Sequence, residues 1–203
     1  TPELQGARQR ILVAGGSGFV GAPLCQLLIA QGHDVTIITR DIERAAAKFD
    51  QRVAFVQSAD ALHKDDIFDA VINLTGEPIA QRWSQAVKAR IVESRLESIA
   101  SLARYLARAV SKPHVYVQAS AIGVYGLDAN ATFTEETTPR STPESFSESV
   151  CLQLEDATDR IAKMGIRTCL LRIGLVLEKD GGILSQLLFP FEFGLGGKVG
   201  DGE

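Results

Sequence analysis

Short runs of consecutive apolar residues alternate along the chain with longer stretches in which apolar residues return every three to four positions. The runs over 10–14 (RILVA), 34–39 (DVTIIT), 53–56, 70–74 (AVINL), 115–118 and 167–173 (RTCLLRI) are rich in β-branched residues and mostly uninterrupted. That is the pattern of strands buried on both faces of a parallel sheet. The periodic stretches over 18–31, 42–49, 83–109 and 144–164 predict helices. In the third, Val87, Ile91, Ile99, Leu102 and Leu106 recur at helical spacing, while Lys88, Arg90, Glu93, Arg95 and Glu97 occupy the rest. Strand and helix in alternation mean right-handed crossovers, so the expected fold class is α/β, a doubly wound parallel sheet. The stretch 127–149 is rich in Ser, Thr, Glu and Pro and reads as a solvated excursion, of the kind that carries function in such folds.

Composition narrows the function. The 203 residues hold 21 Lys and Arg against 25 Asp and Glu, for a net charge of -4, and no stretch concentrates the basic residues. Nucleic acid is therefore not an expected partner. The longest apolar run, 183–193, is far short of the roughly 20 residues that span a bilayer, and no charged-then-apolar leader opens the sequence. No membrane association and a cytoplasmic location are expected. Cys25, Cys151 and Cys169, like His33, His63 and His114, lie far apart, which suggests neither a disulfide framework nor a metal site. The polar residues 1–9 read as a tag or linker remnant, and the glycine-rich 194–203 as a loop without an element to anchor it.

The chemistry starts at Gly15, Gly16, Ser17, Gly18, Phe19, Val20 and Gly21, which set Gly-x-Gly-x-x-Gly at 16, 18 and 21 between the first strand and the first helix. One glycine makes the tight turn, one lets the backbone approach a pyrophosphate, and the last lets the helix pack closely on the strand. The helix N-terminus then offers N–H groups and the positive end of its dipole to phosphate. The second strand ends at Thr39, Arg40 and Asp41, about 20 residues beyond the last glycine, where the ribose 2′-hydroxyl of NAD meets an acidic side chain. A guanidinium there suits a 2′-phosphate by charge and bidentate geometry, which favours NADP over NAD. In the other reading Arg40 faces solvent and Asp41 takes the hydroxyl. Leu74, Thr75 and Gly76 follow the fourth strand, where the backbone either closes on the nicotinamide ribose or makes a plain turn.

These segments resemble the extended short-chain dehydrogenase/reductase superfamily in Gly15-Gly-Ser-Gly-Phe-Val-Gly21, Asn73-Leu-Thr-Gly76 and Ala119-Ser-Ala-Ile-Gly-Val-Tyr-Gly126. Gly76-Glu-Pro-Ile-Ala-Gln-Arg-Trp83, Ser94-Arg95, Leu171-Arg-Ile-Gly-Leu-Val-Leu177 and Pro190-Phe-Glu-Phe-Gly-Leu-Gly-Gly197 are similar to its atypical branch, called nucleoside-diphosphate-sugar epimerase-like or cell-division-inhibitor-like. The resemblance implies a Rossmann domain over 10–180 holding NADP(H). It also implies that 181–203 begins a smaller substrate domain that continues in the family well beyond Gly202. It nominates Arg95 and Gly174 as reaching the cofactor, and the helices over 83–109 and 144–164 as faces of a homodimer.

Members of the superfamily work with a Tyr-x-x-x-Lys pair on the helix after the fifth strand, plus a hydroxyl residue near that strand's end. The tyrosine trades a proton with the substrate oxygen and the lysine lowers its pKa. Here the tyrosines are Tyr105, Tyr116 and Tyr125, none followed four residues later by lysine. Ser147 and Cys151 stand at the places of the pair, and the atypical branch shares both the cysteine and the missing tyrosine. By the same alignment the catalytic hydroxyl falls at Ala121, with Ser120 one residue earlier. The candidate proton donors are then Ser120, Tyr125 or water, each side chain with an alternative structural role. Cys151 is either a reactive thiol or a buried, inert one. Glu77, Arg82 and Trp83 either line a substrate pocket or, for Trp83, anchor a helix.

Two functions fit. One is an NADP(H)-dependent oxidoreductase or epimerase-like enzyme acting on a small substrate, for instance a nucleotide sugar. The other is a non-catalytic NADP(H)-binding sensor that regulates a partner.

Overall fold

The apolar runs become six strands of one sheet in the computed structural model: β1 (Arg10–Ala14), β2 (Asp34–Ile38), β3 (Val53–Val56), β4 (Ala70–Asn73), β5 (Val115–Ala121) and β6 (Arg167–Ile173). Their order is β3-β2-β1-β4-β5-β6. β1 pairs in parallel with β2 and β4, β2 with β3, and β4 with β5. This is the expected doubly wound, Rossmann-type sheet. Its order reverses between β1 and β4, whose ends Ala14 and Asn73 lie in register. In open α/β sheets ligands bind in the crevice beyond the strands' carboxyl ends at such a reversal.

The periodic stretches become α1 (Gly21–Ala30), α2 (Ile42–Ala46), α3 (Gln85–Arg108) and α4 (Phe146–Ala162). Successive side chains of β1 alternate between two cores. Leu12 and Ala14 join Val71, Ile99, Leu102, Leu106, Leu154 and Ile161, while Ile11 and Val13 join Cys25, Ile29, Val35 and Ile37. That two-sided burial is why the strand reads as an unbroken apolar run, and each large side chain so buried contributes about 1.5–3 kcal/mol.

Several element ends differ from the sequence reading. α1 begins at Gly21 rather than 18, because Gly18 N–H is bonded to Gly15 O at 3.0 Å and closes a turn first. α2 stops at Ala46, and Lys48 N–H and Phe49 N–H reach back to Ala45 O and Ala46 O as tighter turns. β5 runs on to Ala121, although its pairing with β4 ends at Gln118 opposite Asn73. Ser120 therefore stands beyond the end of its neighbour strand. Two 3-10 turns, Ala59–Ala61 and Ile122–Tyr125, were not apparent in the periodicity. Ser145 and Glu148 open α4 with a reciprocal capping box.

The structure describes residues 7–49, 53–79, 81–127, 131–178, 182, 184, 188, 191–194 and 197. The expected boundary at 180 and most of 181–203 lie outside them. The chain divides into two compact units, residues 1–172 and 173–203. In the second, β7 (Leu177–Glu178) carries an antiparallel bridge from Leu177 to Gly182. Among the described residues no helix is long and apolar enough to cross a membrane.

Candidate functional site

At the reversal point the glycine turn leaves β1 with Gly15 at φ +79, in the left-handed region that favours glycine. A Cβ there would stand 2.9 Å from both the carbonyl carbon and the oxygen of Leu74, so the turn presses directly on the end of β4. The tight-turn role thus belongs to Gly15, ahead of the motif's first glycine. Gly16 instead makes room for the Cys25 thiol and Ile37 beneath it. At Gly21 a Cβ would collide with Gly15 O and lie 2.8 Å from Gly16 Cα, so only glycine lets α1 start this close to the strand. Val20 caps α1 without a side-chain hydrogen bond, and its first turn holds no acidic residue. Phe19 and Val20 are exposed.

The tip of β2 bears on the alternative between Arg40 and Asp41. Asp41 caps α2, its carboxylate accepting from Arg44 N–H at 2.9 Å, and is thereby engaged in local structure. Arg40 is exposed and has no hydrogen bond or ion pair among the described residues. Thr39 Oγ1 lies 3.4 Å from Ser17 Oγ, linking the strand tip to the glycine turn.

Past β4, Asn73 is buried and organises a polar cluster that the sequence did not announce. Its Oδ1 accepts from Thr75 Oγ1 at 2.6 Å, Thr75 N–H at 3.2 Å and Ser98 Oγ at 3.1 Å. Its Nδ2 donates to Gln118 Oε1 at 2.9 Å and Tyr116 OH at 3.3 Å. Leu74 and Thr75 are half-buried and Gly76 is exposed. Arg95 lies against Gly76, where a Cβ would stand 2.7 Å from its Cζ. Its Nη1 donates to Glu77 O at 3.1 Å and Ile91 O at 2.9 Å. Burial lowers the Arg95 pKa, partly offset by the neighbouring Glu77 carboxylate. Among the described residues it makes no carboxylate ion pair.

Ser120 finds a base. Its Oγ donates to Glu155 Oε1 at 2.6 Å. Glu155 in turn accepts from Arg172 through two bonds, Nε to Oε1 at 3.0 Å and Nη2 to Oε2 at 2.9 Å. The two side chains are only 11% and 19% exposed. The hydrogen bond to Glu155 chiefly raises the Arg172 pKa, which fixes its charge. Arg172 Nη1 also donates to Tyr125 OH at 2.8 Å, and its guanidinium lies 4.9 Å from the tyrosine ring centroid. Tyr125 OH donates to Thr134 O at 2.9 Å, and its ring stacks on Phe133. Tyr125 is thus bound on both its donor and acceptor sides, whereas Ser120 has a carboxylate to direct it.

The buried Cys151 thiol is pushed up by desolvation, partly offset by a backbone hydrogen bond from Ala121 and by Arg95 and Ser120. Burial thus favours its protonated form. Glu148, 2% exposed, accepts from Glu144 N–H and Ser145 N–H with one oxygen, while the other has no partner among the described residues. Trp83 donates from Nε1 to Ile79 O at 2.9 Å and meets Phe146 edge-on, with the Lys88 ammonium over both rings. Gly174 is exposed and belongs to the second unit. Among the described residues no group of three His, Cys, Asp or Glu could hold a metal ion.

The model of the NAD dependent epimerase/dehydratase family matches residues 11–177. Among curated relatives, the bovine (Bos taurus) epimerase family protein SDR39U1 is 34% identical over 96% of this chain and 63% of its own length. Epimerase family protein YfhF of Bacillus subtilis is 33% identical over 95% of this chain and 63% of its own length. The crystal structure of human epimerase family protein SDR39U1 with NADPH superposes with a TM-score of 0.77 at 30% identity, covering 95% of this chain and 63% of that one. The chain thus spans about 63% of the length of these relatives.

Proposed function

The chain belongs to the NAD dependent epimerase/dehydratase family, and from that premise we propose that it is an NADP(H)-binding, epimerase-like oxidoreductase acting on a small substrate, with nucleotide sugars the first class to try. The observation that carries the reading is the glycine turn: backbone fills the space a Cβ would need at Gly15 and Gly21, and α1 opens without a side-chain cap. That cradle fits a pyrophosphate. Gly18, Phe19 and Val20 would hold the phosphates, Ser17, Thr39 and Arg40 the adenosine end, and Leu74, Thr75, Gly76 and Arg95 the nicotinamide end. The unspent Arg40 and the engaged Asp41 favour NADP over NAD. The NADPH in the human relative supports the same choice.

When bound, NADP(H) supplies the hydride, and the protein's share is orientation and a proton. Ser120 is the proton-handling residue in this reading. The hydrogen bond to Glu155 holds its Oγ in one rotamer and leaves the oxygen lone pairs for a substrate hydroxyl or water. The Glu155 carboxylate is already shared with Arg172 through two hydrogen bonds, so Ser120 positions and relays rather than ionises. Tyr125 is the second candidate, and using its proton requires breaking the bond to Thr134 O.

The sensor reading draws on a specific observation too: no tyrosine–lysine pair stands on α4, and the hydroxyl that meets a carboxylate at the end of β5 is a serine. Incubating the full-length protein with NADPH deuterated at nicotinamide C4 and a panel of carbonyl compounds, nucleotide keto-sugars among them, separates the two. Deuterium in any product establishes the enzyme. Bound NADPH with no transfer across the panel favours the sensor. The substrate domain from 181, the homodimer, the cytoplasmic location and the absence of nucleic-acid and membrane partners remain part of this proposal.

A further inference from the structure

Lys48 stands outside every motif, and its backbone is unusually well fixed for an exposed residue just past a short helix. Lys48 N–H donates to Ala45 O at 2.9 Å. Its carbonyl accepts from Gln26 Nε2 on α1 at 3.3 Å. Phe49, next to it, packs on the core around Val35 and Ile37 with its ring 6.2 Å from that of Phe55. From this anchored position the ammonium donates to Ser17 O at 2.8 Å, inside the glycine turn. Ser17 is the residue whose hydroxyl meets Thr39 at the tip of β2, beside Arg40. One glycine-turn residue therefore gathers the Lys48 ammonium and the strand end that carries the Arg40 guanidinium.

An ammonium has three donors, and the carbonyl of Ser17 uses one. A carbonyl neutralises no charge, and Lys48 forms no ion pair among the described residues. Two basic side chains at the rim of an adenosine site, neither paired with a carboxylate among the described residues, suit a dianion better than a ribose hydroxyl. Dianion binding at such a rim divides naturally between a bidentate fork and a compact point charge.

We propose that Lys48 is a second cation for the 2′-phosphate of NADP(H), acting with Arg40 and held at the glycine turn by Ser17 O. The inference rests on the dinucleotide reading above and adds the residue that makes the discrimination against NAD(H) stronger than Arg40 alone provides. NAD(H) lacks the phosphate and gains nothing from Lys48 beyond the support given to the turn.

The test measures dissociation constants of NADPH and NADH by nucleotide fluorescence on full-length wild type, Lys48→Met and Lys48→Arg, with thermal melts alongside. Loss of one charge-assisted hydrogen bond to phosphate predicts a roughly tenfold weaker NADPH affinity in Lys48→Met. NADH affinity should stay within about twofold, and Lys48→Arg should recover most of the loss. If the methionine variant weakens both nucleotides equally, or neither, Lys48 only braces the turn and the proposal is overturned. If wild type binds no nucleotide, the dinucleotide reading itself has failed, and that outcome is distinct from the first. A variant that does not fold is replaced by Lys48→Gln, with the NADPH-to-NADH ratio as the deciding quantity.

Discussion

The Ser120 hydroxyl donates to Glu155 Oε1 at 2.6 Å across the gap between β5 and α4, and the same oxygen accepts from Arg172 Nε at 3.0 Å. One carboxylate thus orients a hydroxyl at the sheet's carboxyl edge and neutralises a half-buried arginine. Removing it in Glu155→Ala leaves the Arg172 guanidinium desolvated without a carboxylate to balance its charge, at a cost of about 3 kcal/mol. Replacing both partners with apolar residues, as in Glu155→Leu with Arg172→Met, should recover most of that loss, because desolvation then falls on neither group. Urea unfolding midpoints of the two variants check the difference. Equal losses in both would show that the pair does more than cancel charge.

That pair was not visible in the sequence, for a physical reason. Glu155 lies in a helix whose polar positions look solvated, and Arg172 interrupts an otherwise apolar strand. Each looks tolerable alone, and only the fold joins them. A signal was present: Glu155 falls one helical turn after Cys151 and shortly before Thr158, on the stripe that α4 buries. By contrast, the sheet, its helices and the glycine turn were legible because periodicity and glycine chemistry are local. Arg40 was legible as a candidate, but the engagement of Asp41 as the α2 cap was not, since a helix cap is a hydrogen bond rather than a residue type. Gln118 and Asn73 were hidden inside apolar strands, where their mutual hydrogen bond makes burial tolerable.

Gly21 tests the cradle. Its Cβ would meet the Gly15 carbonyl backbone, which cannot swing aside like a flexible side chain. Gly21→Ala should push α1 off β1, abolish measurable NADPH binding and destabilise the fold by about 1–3 kcal/mol. Nucleotide fluorescence and a thermal melt on one sample check both effects. Unchanged NADPH affinity would mean that the turn does not receive the phosphates.

Arg40 and Asp41 predict opposite signatures. Arg40→Ala should weaken NADPH at least about tenfold while sparing NADH, as expected for a lost charge-assisted contact. Asp41→Ala removes the α2 cap bonded to Arg44 N–H, costs about 1 kcal/mol and leaves the NADPH-to-NADH ratio unchanged. A ratio that moved only in the Asp41 variant would restore the NAD reading.

Buried acids set the alkaline limit. Desolvation pushes the Cys25 thiol from 9.0 up to about 12 and, as the largest cause, the Tyr105 hydroxyl from 10.0 up to about 12. The folded chain therefore keeps protons that the unfolded chain releases, so their contribution is complete below about pH 9 and is lost as pH rises towards about 12. Melting temperature should be flat with respect to these groups near neutrality and fall across that window. Cys25→Ala should lessen the fall that begins near pH 9. With Cys151 also shifted upward, neither buried thiol should react quickly with a thiol reagent at about pH 8 until the protein unfolds. Rapid native labelling of Cys151 would contradict its assignment as a protonated, structural thiol.

The central claim is that the turn from Gly15 to Gly21, with Arg40 at the neighbouring strand tip, is built for NADP(H). Fluorescence titration of NADPH and NADH into the full-length protein tests it most directly. Saturable NADPH binding, with NADH at least about tenfold weaker, is the predicted result. No saturable binding of either nucleotide, or a preference for NADH, would contradict it.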